Sequence, residues 1–308
     1  MDYRWFTEPT IVRVLVKVTA TIVLSIVFFR WFEVPARKYL ARPATRRFAY
    51  SSFVVSSILV GAVGLTLWKT QYLDSSIANA SRGGIVINDE IHSPCVVLYG
   101  DSLASMYGKT LADMAKRDGF RLHVMSVAGA NLFPGSPLFQ SASAWLEQEK
   151  PDCIILAAFW TNQGNDYTAA SNLLSSLKDH TSHLIVLGQP PILPDRASRE
   201  SIREHGFVPV HEDLATRQQR RHWCEFFRTM VQHGISFVDI ASEFENANGD
   251  IIYCDDRCRQ LYQDYLHLSG FGSAIVGRRI APIIAAAIRQ KVKANDRIDK
   301  SPQESVNR

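Results

Sequence analysis

Hydrophobic positions along the chain follow two different rules. Near the front they are continuous: Ile11–Phe32 reads IVRVLVKVTATIVLSIVFFRWF, and Phe48–Trp68 reads FAYSSFVVSSILVGAVGLTLW without a charged residue. A hydrocarbon core about 30 Å thick takes roughly 20 apolar residues of helix to cross, so each stretch is expected to be a transmembrane helix, the alternatives being an amphipathic helix lying on the membrane surface for the first and a buried core helix for the second. In the first, Arg13, Lys17 and Arg30 flank the apolar run Val18–Phe29, and long cationic stems can carry their charge to the interface. Between the two lies Glu33–Arg47, with Arg37, Lys38, Arg42, Arg46 and Arg47 against the single acid Glu33. Positive charge marks a cytoplasmic loop. Residues 1–69 therefore read as a membrane region, with everything after Lys69 facing outward. A cleaved leader fits less well, because a second span follows the first where a small-residue cleavage site would stand.

After a polar linker, Thr70–Ser93, the pattern changes to short apolar runs alternating with amphipathic stretches. Strands are expected at Cys95–Tyr99, Leu122–Val127, Cys153–Phe159, Leu184–Leu187 and Ile235–Val238. Helices are expected at Leu103–Arg117, Phe139–Glu149, Ala169–His180, Asp213–His233 and Gly272–Arg289. Alternation of this kind implies right-handed crossovers and an α/β fold: a mainly parallel sheet with flanking helices. The strands are apolar throughout, as strands covered on both faces are. This domain spans 94–290, and the polar residues 291–308 read as a disordered tail.

Composition adds exclusions. Of 308 residues, 46% are hydrophobic and 21% charged, which rules out disorder throughout, and a net charge of +4 is too small to argue for nucleic acid. The mean hydropathy of −0.05 hides the crowding of apolar residues at the front. No zinc motif, phosphate-cradling glycine loop or dinucleotide fingerprint occurs, so no cofactor and no metal are expected. Cys254 and Cys258, four apart in YCDDRC, read as a disulfide loop in an oxidising compartment, the alternative being a metal pair. Cys95 and Cys153 read as packed thiols.

In a parallel sheet, ligands collect beyond the carboxyl ends of the strands. Gly100-Asp101-Ser102 follows the first expected strand, Ala128-Gly129-Ala130-Asn131 the second, and Trp160-Thr161-Asn162-Gln163-Gly164-Asn165-Asp166 the third. Asp264-Tyr265-Leu266-His267 precedes the last helix. A serine hydroxyl needs a base, which His267 can supply through one ring nitrogen while Asp264 fixes the other. The developing oxyanion needs donors already aimed. The backbone N–H groups of Ser102 and Gly129 and a side-chain amide, Asn162 or its alternative Asn165, are the candidates. Asn162 lies closer to its strand end. The bland reading makes the Gly-Asp-Ser triplet a turn, Gly129 a tight-turn glycine, and Ser269 the cap of the last helix beside an ordinary histidine.

At these residues the sequence resembles the SGNH, or GDSL-type, hydrolases, whose four marker residues would be Ser102, Gly129, Asn162 (or Asn165) and His267, with Asp264 completing the triad. The resemblance implies a flavodoxin-like parallel sheet. The front is similar to the end of an acyltransferase-3 membrane domain: Phe28-Phe29-Arg30-Trp31-Phe32-Glu33-Val34-Pro35-Ala36-Arg37 ends a span in aromatics and then Glu-x-Pro-x-Arg. Leu132-Phe133-Pro134 and the cysteine pair ahead of Asp264 also resemble the fused acyltransferase-3/SGNH subgroup. That resemblance implies a bacterial inner-membrane protein with its C-terminal domain in the periplasm. It implies O-acylation, acetyl first, of a cell-surface glycan such as lipopolysaccharide through an acyl-serine. The acyl group would come from a separate acyltransferase-3 membrane domain. A membrane-tethered esterase or deacetylase using the same residues is the first alternative, and a catalytically inactive glycan-binding remnant the second.

Overall fold

The computed structural model describes residues 11–40, 51, 54–65, 75–92, 94–194, 210–257 and 259–299. The chain divides into two compact units, Met1–Asp74 and Ser75–Arg308.

In the first unit, helix Ile11–Phe28 passes through a π-turn, Phe29–Glu33, into helix Val34–Leu40. Pro35 has no N–H to donate, and the turn widens just before it, with the Val34 N–H bonding the Phe29 carbonyl. The start of the basic segment Glu33–Arg47, expected as a loop, is thus helical, since proline is tolerated in a helix's first turn. Arg42, Arg46 and Arg47 lie outside the described residues. Residues 21–31 are exposed all round, including Leu24, Ile26, Phe28 and Trp31. The apolar helix Val54–Leu65 is exposed in the same way.

The second unit is a six-stranded sheet in the order β1-β3-β2-β4-β5-β6. Its strands are β1 Ile85–Ile87, β2 Cys95–Gly100, β3 Arg121–Ser126, β4 Cys153–Ala157, β5 His183–Leu187 and β6 Ile235–Val238. The pairs from β3 through β6 are parallel, as expected, and β1 adds an antiparallel edge on β3. β1 and helix Ser75–Ala80 fall inside the stretch expected to be linker. Three apolar residues, Ile85-Val86-Ile87, are too short a signal to stand out in a mostly polar stretch.

Successive strand residues enter opposite layers. Val96, Leu98 and Ile155 pack under helices Gly108–Asp118 and Gly270–Asp299, through Leu111, Met114, Val276, Ile280 and Ile284. Val97, Tyr99, Ile154 and Leu156 face Pro137–Glu149, Tyr167–Lys178 and Leu214–Met230, through Leu146, Leu173, Trp223 and Phe227. Each such fully buried side chain contributes about 1.5–3 kcal/mol against exposure. Cys95 and Cys153 are buried in this core, and burial pushes the Cys95 thiol up to about 11.

Among the described residues, one helix segment, Gly270–Arg289, is long and apolar enough to cross a membrane. Its Val276, Ile280, Ile284 and Ala287 are in the core, so it closes the domain. The helix runs on to Asp299, past Lys291, where the sequence reading starts the tail; Lys, Ala and Arg are good helix formers. The single expected helix Leu103–Arg117 is two, Ser102–Ser105 and Gly108–Asp118, parted at Met106–Tyr107.

Candidate active site

Register places the carboxyl ends of the three central strands level: Gly100 pairs with Ser126 on one side and Ala157 on the other. β2 is the switch point, with the chain leaving it toward β3 and crossing back to β4. The residues just after Gly100 therefore stand at the carboxyl edge of the sheet beside its switch point, the place where ligands collect in such folds.

Gly100 has φ +156°, and a Cβ there would lie 1.9 Å from the Ala157 carbonyl oxygen, so only glycine allows this approach. Asp101 caps the short helix Ser102–Ser105, its Oδ1 accepting from the Leu103 N–H at 2.8 Å. Its Oδ2 accepts from the Phe159 N–H at 2.8 Å. This carboxyl is 3% exposed; burial raises its pKa, and the two backbone donors oppose that shift. Ser102 is the first residue of the helix and only partly buried.

The segment Gly100–Met106 gathers three loops. The Val127 N–H donates to Gly100 O at 3.1 Å, which ties down the loop carrying Gly129. Gly129, at φ +70°, is the third residue of a turn closed by the Ala130 N–H on Val127 O. The Phe159–Asp101 bond ties down the turn Trp160–Gln163, which holds Asn162. The third tie is to the loop before the closing helix and to that helix's first turn: Leu268 N–H meets Met106 Sδ at 3.2 Å, and Ser273 Oγ donates to Met106 O at 2.9 Å.

That last loop holds Asp264 and His267. Asp264 Oδ1 accepts from the backbone N–H groups of Leu266 and His267, at 2.9 and 2.7 Å. Its Oδ2 lies 2.8 Å from His267 Nδ1. A carboxylate there holds the proton on Nδ1 and leaves Nε2 as an acceptor. Nε2 is buried without a hydrogen-bond partner. Burial pushes the Asp264 carboxyl up, but the His267 ring and the two backbone donors outweigh it and hold it below its ordinary value. Ser269 is indeed the cap of the closing helix, accepting from Phe271 and Gly272 N–H while donating to Gln260 O at 2.6 Å.

Both asparagines are exposed: Asn162 lies three residues beyond the Phe159 anchor, and Asn165 follows Gly164, whose carbonyl accepts from Trp223 Nε1 and Gln219 Nε2 on helix Leu214–Met230. Cys258 lies outside the described residues, and with it the expected Cys254–Cys258 bridge. Two contributors escaped the sequence reading. Asp101 was passed over as the middle of a triplet, and Gln189, 1% exposed beyond β5, accepts from both Thr161 N–H and Thr161 Oγ1 beside Asn162. The signal for Gln189 in the sequence is its place just beyond the carboxyl end of β5, the position the other candidates hold on their strands.

The fold is shared with a solved structure. The periplasmic domain of a Salmonella ser. Paratyphi A lipopolysaccharide acetyltransferase aligns with a TM-score of 0.54 at 18% identity, covering 69% of this chain and 89% of that one. A putative acylhydrolase from Bacteroides fragilis aligns at 0.45 and 12% identity, over 63% and 88%. A GDSL-like lipase from Bacteroides thetaiotaomicron aligns at 0.44 and 14%, over 63% and 89%. No curated protein matches the chain. Residues 72–282 match the family described as the SGNH domain fused to AT3 domains, and with more than half of its length matched the chain belongs to that family.

Proposed function

We propose that this chain is a membrane-anchored O-acyltransferase that carries an acyl group, acetyl first, on Ser102 and delivers it to a hydroxyl of a cell-surface glycan such as lipopolysaccharide. In the proposed cycle, His267 Nε2 takes the Ser102 proton as Oγ attacks the acyl carbonyl. The N–H groups of Ser102 and Gly129 and the Asn162 amide, with Asn165 as the alternative, receive the oxyanion. The leaving group takes the proton from Nε2 as the acyl–donor bond breaks. An acceptor hydroxyl then loses its proton to Nε2 and attacks the acyl-serine, and Nε2 returns that proton to Ser102 Oγ as the acyl–serine bond breaks. Asp264 keeps the imidazole in the required tautomer throughout.

The observation that carries this reading is the buried, unpartnered Nε2 of a histidine already bonded to Asp264, on a loop tied to the helix that begins with Ser102. The family's fusion to AT3 domains supports transfer over simple hydrolysis, and supports a separate acyltransferase-3 membrane domain as the source of acyl groups. Apolar residues exposed on every side at Leu24–Phe29 and Val54–Leu65 support spans at Ile11–Phe32 and Phe48–Trp68, with the SGNH domain in the periplasm of a bacterial inner membrane. A Cys254–Cys258 disulfide belongs to the same proposal, since that compartment is oxidising.

The test uses the full chain in detergent with p-nitrophenyl acetate, with and without a glycan acceptor. The wild-type chain should release nitrophenol, acquire one acetyl on Ser102, and pass it to the glycan. Ser102→Ala should cut release by about 10³-fold or more. Equal rates in the two proteins would sink the nucleophile assignment, and acetate without acylated glycan would make the chain an esterase.

A further inference from the structure

The segment after β5 touches both halves of the site. Gln189 Oε1 holds Thr161 by two bonds, at 3.0 and 3.2 Å, and so holds the turn that carries Asn162. Two residues on, the Pro191 carbonyl accepts from Tyr262 Oη at 3.0 Å, and the Leu193 N–H donates to Tyr265 O at 2.8 Å. Tyr262 and Tyr265 bracket Asp264. The intervening Ile192 N–H donates to Glu212 Oε1 at 2.9 Å. Glu212 is itself locked: its Oε2 accepts from Arg220 Nε and an Arg220 terminal nitrogen, at 2.9 and 2.6 Å. The same arginine reaches Glu245 at 2.9 Å. Arg220 is 3% and Glu212 6% exposed. Prolines at 190, 191 and 194 stiffen the segment by fixing φ.

A buried ion pair is an expensive way to hold a connecting segment, because both charges must give up their water. What the pair obtains here is a fixed point on the Ile192 amide. We propose that Gln189–Pro194 is a positioning strap that sets the distance between the oxyanion side of the site and the Asp264–His267 loop. In this arrangement Glu212 and Arg220 anchor the strap from the far side. None of these residues touches the reacting atoms. The proposal rests on the catalytic reading of Ser102 and His267, and deepens it.

Two variants of the full chain in detergent test it. Tyr262→Phe removes only the hydroxyl that bonds Pro191, and Glu212→Gln keeps an acceptor for Ile192 while uncharging the anchor. Both should lower kcat for p-nitrophenyl acetate, by about tenfold for a displacement well under 1 Å, with KM unchanged. Both should also speed hydrogen exchange at the Leu266 and His267 amides. If Glu212→Gln fails to fold, Tyr262→Phe carries the test alone. Folded Tyr262→Phe with wild-type kcat and wild-type exchange at those amides would overturn the strap. Faster exchange in the variants, with a wild-type chain that never acetylates Ser102, would overturn the catalytic reading and leave the strap as a mechanical fact.

Discussion

Asp264 performs two tasks with one carboxylate. Its Oδ1 folds the loop back on itself through two backbone donors, and its Oδ2 orients the imidazole. Asparagine can replace the first role but presents an amide donor or a neutral acceptor in the second. Asp264→Asn should therefore lower kcat by about 10²-fold or more while the chain still folds. Linkage gives a second reading of the same variant. The folded carboxyl titrates below its ordinary value, so its contribution to stability is present above the unfolded pKa of about 3.9 and is lost as pH falls through the folded pKa. The stability difference between wild type and Asp264→Asn should thus be largest near neutrality and shrink in acid, as followed by denaturant midpoints. A gap that stays constant from pH 7 to pH 3 would mean that the carboxylate's charge does no structural work.

At the level of elements, the site depends on where one helix begins. Ser269 accepts from two N–H groups in the first turn of Gly270–Asp299 and donates to Gln260, so it fixes the end of the Asp264–His267 loop as well as the helix start. Ser269→Ala should cost about 1 kcal/mol for the cap alone, measured by chemical unfolding. It should also slow acylation, because the histidine loop loses its downstream anchor. Loss of stability with an unchanged rate would confine Ser269 to capping. The strands were legible because parallel strands covered on both faces are written as unbroken apolar runs, Cys95–Gly100 and Cys153–Ala157 among them. Edge strand β1 was not, since only three of its residues pair and their neighbours are polar. The break between Ser102–Ser105 and Gly108–Asp118 was missed as well. Tyr107, 1% exposed, continues the apolar period across it and masks the turn.

For the whole molecule, the division at Asp74–Ser75 separates a front unit whose described apolar side chains, at residues 21–31 and 54–65, are exposed from a rear unit that buries an apolar core. Water penalises the first arrangement and favours the second. Residues 75–308 expressed alone should therefore be monodisperse without detergent and unfold cooperatively, whereas the full chain should float with lipid vesicles and resist alkaline carbonate extraction. Release of the full chain by carbonate would argue against the two spans.

By itself the sequence determined the layered α/β domain, the two apolar segments at the front, and the short list of Ser102, Gly129, Asn162 or Asn165, Asp264 and His267. Those are local properties: periodicity records which faces are covered, and the strand-end rule converts that record into positions. Tertiary structure alone decided how the pieces are tied together. The carboxylate of Asp101 joins two strand ends 58 residues apart, Met106 receives the histidine loop from more than 160 residues away, and Glu212 holds a strap that reaches both sides. Hydrogen bonds between residues so distant in the chain leave no period in the sequence. They exist only once the sheet register has brought their partners to within about 3 Å of each other.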